Sequence, residues 1–165
     1  DRLKRASLYD ALTGALNRRA YEDGVGLEGH VRHGTALMLD MDNLKLVNDR
    51  EGHAAGDELL CRLVETLRGC ITPEDRLYRW GGDEFLVLLP AASPQAVVPR
   101  IRAAVEAANA PYAPDSPLYL QVSLGAAAFD DPARLGAAIE QADHAMYEDK
   151  ALNRIQISRV ALPAG

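Results

Sequence analysis

Apolar residues along this chain fall into two patterns: short unbroken runs, and longer stretches in which they recur at every third or fourth position. The unbroken runs predict strands over residues 36–41, 77–80, 85–89, 119–128 and 155–157. The three-and-four spacing predicts helices over residues 1–9, 17–23, 57–67, 93–110 and 131–152. Helices and strands thus alternate, which predicts one α/β domain with a central mixed sheet flanked by helices.

Two of the predicted strands flank the sequence Gly81-Gly82-Asp83-Glu84, and this spacing predicts a β-hairpin. A tight turn can use two glycines and one acid, but a second adjacent acid adds repulsion between like charges. Two interpretations stay open at this point. The segment is either a glycine-rich turn with solvated acids, or a turn whose acids are paired to hold a metal ion.

A second pair of acids, Asp40 and Asp42, stands at the end of the first predicted strand. Residues two apart on a strand point the same way, and an acid that ends a buried run needs a partner. If the sheet places this strand end beside the hairpin, the carboxylates converge, and two charges about 4 Å apart repel by roughly 4 kcal/mol. Oxygen-only ligands suit Mg²⁺, which also takes substrate phosphates, so the pattern predicts a divalent metal site.

Composition narrows the function classes. The 165 residues are 48% hydrophobic and 25% charged, as expected for one soluble globular domain. The net charge is −6 and the basic residues are scattered, which argues against nucleic acid as a partner. A phosphorylated small molecule remains compatible, because bound metal reverses the local charge. No apolar run approaches bilayer length, so we expect no direct membrane contact and a cytoplasmic location, although the parent protein could be membrane-anchored upstream.

Several short motifs follow one another in the order and spacing of one family. They are DALTGALNRR at 10–19, DMDNLK at 40–45, ND at 48–49, GH at 52–53, GD at 56–57, GGDEF at 81–85, S-x-G at 123–125, and the matched positions of a closing helix at 142–154. Over about residues 8–158 the chain therefore resembles the GGDEF family of diguanylate cyclases.

The resemblance implies a fold and domain bounds. The sheet is expected to be mixed and mostly antiparallel, of the nucleotidyl-cyclase and polymerase-palm type, with the hairpin carrying the GGDEF turn. Residues 10–160 form the catalytic domain, residues 1–9 the end of an upstream signalling helix, and residues 161–165 a C-terminal tail.

The resemblance also implies a metal site and catalytic residues. Mg²⁺, with Mn²⁺ as an alternative, is held by Asp40, the backbone carbonyl of Met41, Asp83 and Glu84. Catalysis is assigned to Asp83, Glu84 and Lys45. Glu84 serves either as a metal ligand or as the base for the ribose hydroxyl.

The residues that the resemblance assigns to substrate binding are Asn48, Asp57, Gly81, Gly82, Lys45, Lys150 and Arg154. Asn48 and Asp57 read guanine, and the carboxylate favours GTP over ATP because adenine lacks the matching donors. A helix N-cap is the alternative role of Asp57, and the two roles are compatible. The glycines let backbone approach the nucleotide, and the basic residues meet the triphosphate, with surface charge as their alternative.

The activity that the resemblance implies is the condensation of two GTP into cyclic di-GMP and two pyrophosphates, by attack of a 3′-hydroxyl on an α-phosphate. Each domain holds one GTP, so a homodimer is expected, formed through an upstream sensory or coiled-coil region. The alternative is a catalytically weak domain that acts as a GTP-binding regulatory module.

Two departures from the family pattern affect these expectations. The product-inhibition motif R-x-x-D is reduced to Asp75, because Thr72 stands in place of the arginine, and we predict weak or absent inhibition through this site. Asn153 and Ile155 interrupt the usual G-R-N ending, which leaves the role of Arg154 open.

Overall fold

The structure is a computed structural model that describes residues 2–3, 7–27 and 31–161, with side chains described up to residue 155. Its strands are β1 (Leu16–Asn17), β2 (Gly34–Met41), β3 (Arg76–Arg79), β4 (Glu84–Pro90) and β5 (Val122–Phe129). Its helices are α1 (Arg18–Glu22), α2 (Leu44–Glu51), α3 (His53–Arg68), α4 (Pro94–Asn109) and α5 (Leu135–Ala161). A short 3₁₀ turn, Pro132–Arg134, leads into α5.

The strands form one sheet in the order β1-β3-β4-β2-β5. β1 pairs with β3 in parallel, and the other neighbours are antiparallel, so the predicted mixed, mostly antiparallel sheet is confirmed. β2 lies between β4 and β5, and its register sets Asp40 opposite Glu84 on one side and opposite Ser123 on the other. The sheet therefore brings the end of β2 next to the base of the GGDEF hairpin.

Helices cover both faces of the sheet, which explains why every residue of β2 is buried and why its residues 36–39 are all apolar. On one face, Leu37 and Leu39 of β2 pack with the buried stripe of α3 and with α4. On the other face, Ala36 and Met38 pack with apolar residues of α1 and α5. The hydrophobic effect thus fixes β2, and with it Asp40, at the centre of the domain.

Helix α5 lies directly on the backbone of β5 at Gly125. A Cβ on this residue would stand 2.3 Å from the carbonyl oxygen of Ala142 and 2.3 Å from the amide nitrogen of Met146. Only a residue without a side chain permits this approach. The contact sets how closely α5 follows β5 towards the acids at the end of β2.

Three predictions from local pattern are wrong. Residues 155–157 continue α5 instead of forming a strand. Asp57 is not an N-cap, because α3 begins at His53 after Gly52, whose φ of 94° separates α3 from α2. β5 begins at Val122, and residues 119–121 belong to the preceding loop. Helix α2 was not predicted, because Val47 is its one buried residue within the described part of the chain and its apolar stripe is correspondingly weak.

The chain ends lie partly outside the described residues. Of the predicted helix over residues 1–9, Arg2 and Leu3 are helical, whereas residues 7–9 form a turn and an isolated bridge, so the helix does not extend over them. Residues 1 and 4–6 of that helix and residues 162–165 of the predicted tail lie outside the described residues. The domain bounds stay predictions. Among the residues described, no helix combines the length and apolar character that a membrane crossing requires.

Candidate active site

Three carboxylates converge where β2 ends beside the hairpin. One oxygen from each of Asp40, Asp83 and Glu84 lies within 4.8 Å of the others. Two backbone features hold them there: Asp40 is in register with Glu84, and the Met41 N–H donates to the Asp83 carbonyl oxygen at 3.0 Å. The acids of the strand end and of the hairpin therefore meet, as the sequence predicted.

Asp40 is 3% exposed, and its two oxygens have different surroundings. Oδ2 accepts a hydrogen bond from the Lys150 ammonium on α5 at 2.9 Å. Oδ1 is buried and has no hydrogen-bond partner among the described residues. A buried, unpaired carboxylate oxygen is costly, so this atom is well suited to a bound cation.

The pKa values of the other two acids of the cluster are raised, as expected where negative charge is not balanced. Burial raises the pKa of Asp83, and the neighbouring Asp40 raises it further. Burial likewise raises the pKa of Glu84, followed by the charges of Asp40, Asp143 and Asp83. A divalent cation would relieve this repulsion, and oxygen-only donors match the preference of Mg²⁺ and Mn²⁺. The residues present thus fit such a metal.

Lys150 is the basic group nearest to these acids among the described ion pairs. Its ammonium lies 2.9 Å from Asp40 and 4.0 Å from Oδ1 of Asp42. Burial alone would lower the pKa of Lys150, but its hydrogen bond to Asp40 and the surrounding carboxylates outweigh burial and raise it. Lys150 is therefore a fully charged group at the inner edge of the cluster.

Asp42 points towards Lys150 as Asp40 does, but it lies outside the group of three converging acids. Its Oδ2 accepts a hydrogen bond from the Ser123 hydroxyl of β5 at 2.5 Å. Burial raises the pKa of Asp42, although Ser123 and Lys150 partly oppose the rise. Asp42 thus ties the end of β2 to β5.

The glycines of the hairpin leave open space above the turn. Neither Gly81 nor Gly82 has a positive φ, so the turn itself does not require glycine. A Cβ on Gly82 would meet no described atom within 4 Å, and one on Gly81 would only touch Glu84. This open backbone next to the acids is consistent with the close approach of a ligand.

The two residues expected to read guanine lie on α2 and α3, which contact each other at Gly56. Asn48 of α2 lies across Gly56 of α3, so closely that a Cβ on Gly56 would stand 1.8 Å from Asn48 Oδ1. Asp57, the next residue of α3, is exposed and not committed to a helix cap. Asn48 thus lies against the residue that precedes Asp57, and the Asp57 side chain is accessible to solvent.

For three further predicted residues, no hydrogen bond or ion pair to the three acids is found among the described residues. Lys45 is exposed at the second position of α2, and Arg154 is exposed one turn beyond Lys150. Asp75 Oδ2 accepts a hydrogen bond from the Thr72 N–H at 2.8 Å and so closes its own turn. Their roles in nucleotide or product binding stay predictions.

Sequence reasoning missed an ion pair between the N-terminal segment and the hairpin. Arg79 donates to both oxygens of Asp10 at 3.1 Å and to the Gly82 carbonyl oxygen at 2.8 Å. Asp10 also accepts from the N–H and the hydroxyl of Thr13. The pairing joins residues 69 positions apart, so no local pattern reveals it. The sequence also did not predict that the charge of Asp143 raises the pKa of Glu84.

Known proteins resemble the chain in sequence and in fold. The family model described as "Diguanylate cyclase, GGDEF domain" matches residues 7–156. "Diguanylate cyclase DgcP" of Pseudomonas aeruginosa is 37% identical over 159 residues, which are 92% of this chain and 24% of that protein. The chain spans about a quarter of the length of the curated relatives DgcM and DgcP.

Two solved structures superpose closely. A microbial GGDEF domain described in its interaction with bis-(3,5)-cyclic di-GMP has a TM-score of 0.73 and 37% identity, with coverage of 90% of this chain and 93% of that one. The coiled coil and GGDEF domain of DgcB from Caulobacter crescentus, solved with c-di-GMP, has a TM-score of 0.77 and 25% identity, covering 91% and 84% respectively.

Proposed function

Because the chain belongs to the GGDEF family of diguanylate cyclases, we propose that it condenses two GTP molecules into cyclic di-GMP and two pyrophosphates. One observation carries this proposal. Oxygens of Asp40, Asp83 and Glu84 lie within 4.8 Å of one another, and a buried oxygen of Asp40 lacks a partner among the described residues. A domain that merely received GTP would have no need to keep such mutually repelling acids together.

The acids define where the metal would bind. Asp40, the Met41 carbonyl, Asp83 and Glu84 would hold Mg²⁺, with Mn²⁺ as a substitute of the same donor preference. When bound, the metal neutralises charge on the α-phosphate and lowers the proton affinity of the attacking 3′-hydroxyl. Glu84 either completes the ligand set or accepts the hydroxyl proton.

The remaining site residues bind and orient the nucleotide. Asn48 and Asp57 receive guanine, for which the exposed carboxylate accepts from N1–H and the 2-amino group. Lys150, with Lys45 and Arg154, binds the triphosphate, and the open backbone at Gly81 and Gly82 admits it. In each half of the reaction a 3′-oxygen forms a bond to an α-phosphorus, pyrophosphate leaves, and the hydroxyl proton is released.

Two copies of the domain must act together. The described acids provide one cluster, and cyclic di-GMP contains two guanylates, so each copy supplies one GTP and the two clusters face each other. Dimerisation through an upstream segment would raise the effective concentration of one domain at the other. The DgcB structure, which includes a coiled coil with its GGDEF domain, supports this arrangement by analogy.

The test is an assay of product formation. The chain is fused at its N-terminus to a dimerising coiled coil and incubated with GTP and Mg²⁺, and the nucleotides are separated by ion-exchange chromatography. We expect cyclic di-GMP and pyrophosphate to form, and Glu84→Gln to reduce the rate by about 10²-fold or more, as for loss of a group acting in the transition state.

The alternative function, a GTP-binding regulatory module, makes a different prediction in the same assay. It requires measurable GTP binding with no cyclic di-GMP from the fused dimer, at any metal concentration. That outcome would contradict catalysis. Removal of the metal with EDTA is expected to abolish product formation by the wild-type fusion and to leave its thermal unfolding largely unchanged.

A further inference from the structure

The apolar packing of helix α5 against the sheet ends just before the helix reaches the acids. Among its side chains described, which extend to residue 155, the last buried one is Met146, and the positions from Tyr147 to Ile155 are exposed or partly buried. Lys150 lies within this last part, one turn beyond Met146. Because a lysine side chain has several freely rotating bonds, the place of its ammonium depends on how firmly this part of the helix is held.

Polar side chains on either side of Lys150 hold the helix instead, by bonding the outer edge of β5. Asp149 Oδ2 accepts a hydrogen bond from the Leu124 N–H at 2.9 Å. Asn153 donates to the Val122 carbonyl oxygen at 3.3 Å and to the Ser123 hydroxyl at 3.1 Å. These backbone groups belong to the edge strand of the sheet, where ladder partners end.

The spacing of Asp149 and Asn153 along α5 matches the spacing of the backbone groups that they bond on β5. Asp149 and Asn153 are one helical turn apart and face the same side of α5, while Val122 and Leu124 are two residues apart and expose their backbone groups on the same side of β5. Asp149 also pairs with Arg102 of α4 at 3.1 Å, but Arg102 is half exposed and this ion pair contributes little. The bonds to the strand edge are therefore the main restraint.

We propose that Asp149 and Asn153 are positioning residues for GTP binding, because together they fix the last turns of α5 so that the Lys150 ammonium stands beside Asp40. The inference rests on the proposed function, since it takes the triphosphate of GTP as the ligand of Lys150. Asn153 stands where the family pattern has glycine, which has no side chain to donate. The hydrogen bonds from Asn153 to β5 are therefore specific to this sequence.

A double-mutant cycle tests whether the two residues act through Lys150. The probe is a GTP analogue with a methylene bridge between its α- and β-phosphates, titrated calorimetrically in Mg²⁺. We expect the pair Asp149→Ala and Asn153→Ala to weaken binding by about five- to tenfold in the wild-type background. In a Lys150→Ala background the same pair is expected to change binding by less than about twofold.

A conservative variant serves as the matched control. Asp149→Asn keeps an oxygen that accepts the Leu124 N–H while it removes the charge that pairs with Arg102. We expect it to bind the analogue within about twofold of wild type. Affinity as weak as that of Asp149→Ala would assign the effect to the ion pair and overturn the role of the strand edge.

The outcomes separate this inference from the function on which it rests. An equal loss of affinity in both backgrounds would overturn the positioning role alone. Failure of the wild-type chain to bind the analogue would overturn the proposed function and this inference with it. Amide hydrogen exchange gives a readout that needs no nucleotide: exchange at Leu124 is expected to rise in Asp149→Ala, and unchanged exchange would overturn the inference.

Discussion

Substitution of Gly56 by alanine separates nucleotide recognition from folding. Gly56 is buried inside α3, and its Cβ would stand 1.8 Å from Oδ1 of Asn48. The atom it displaces is the end of a side chain, so Asn48 can rotate away while the helices stay in place. We therefore expect the domain to fold but no longer to hold Asn48 in the place proposed for guanine binding.

The substitution is expected to affect stability and GTP affinity differently. Alanine in place of glycine within a helix gains about 1 kcal/mol of helix propensity, which offsets part of the strain of moving Asn48. Loss of one neutral hydrogen bond to guanine costs about 1 kcal/mol of binding, which is a reduction in GTP affinity of roughly fivefold. We therefore expect a small change in the melting temperature and a clear loss of affinity.

Calorimetric titration with the methylene-bridged GTP analogue measures the affinity, and thermal unfolding measures the stability. The matched control is Gly136→Ala in α5, where a Cβ would meet no described atom within 4 Å. Asn48→Ala should weaken binding as Gly56→Ala does, and the double variant should be no worse than either one. Full affinity in Gly56→Ala beside weakened binding in Asn48→Ala would refute the reasoning.

Three further predictions concern stability and regulation. Burial alone would raise the pKa of Asp10, but hydrogen bonds from Thr13 and the charge of Arg79 outweigh it and lower the pKa below its ordinary 3.8. The stabilisation is therefore present above that value and lost as pH falls through the lowered pKa, so Asp10→Asn should destabilise by about 1–2 kcal/mol at neutral pH and progressively less in acid. Gly125→Ala should destabilise by about 3 kcal/mol, measured by denaturant unfolding, because its Cβ meets the backbone of α5; a change within about 0.5 kcal/mol would contradict that packing. Asp75→Ala should leave the sensitivity of the proposed product formation to added cyclic di-GMP unchanged, and loss of tight product binding on this substitution would show that an inhibition site persists.

The sequence predicted the parts of the fold that rest on a strong local pattern. The apolar run before Asp40, the hairpin around the glycines and the long C-terminal helix were all predicted, and the sheet and the family are confirmed. The short Ile-Gln-Ile segment at 155–157 was assigned to a strand because alternation over three residues does not distinguish a strand from the end of a helix.

The residues of the site that belong to sequence motifs could be predicted. The contacts that depend on tertiary pairing could not. Convergence of Asp40 with the hairpin acids followed from paired charges that need a common counterion. The bond from Arg79 to Asp10 and the bond from the Leu124 N–H to Asp149 depend on which elements become neighbours in space. Sequence periodicity carries no information about such pairs.

Binding of Mn²⁺, followed by the electron paramagnetic resonance signal of the free ion, tests the central claim most directly. The chain is titrated in the presence of the methylene-bridged GTP analogue, with Asp40→Asn as the test variant and Asp130→Asn, an exposed acid at the end of β5, as the control. We expect wild type and control to bind Mn²⁺ alike and Asp40→Asn to bind at least about tenfold more weakly, as for loss of a charged ligand. Equal Mn²⁺ binding by Asp40→Asn and wild type would contradict a metal site built on Asp40, Asp83 and Glu84.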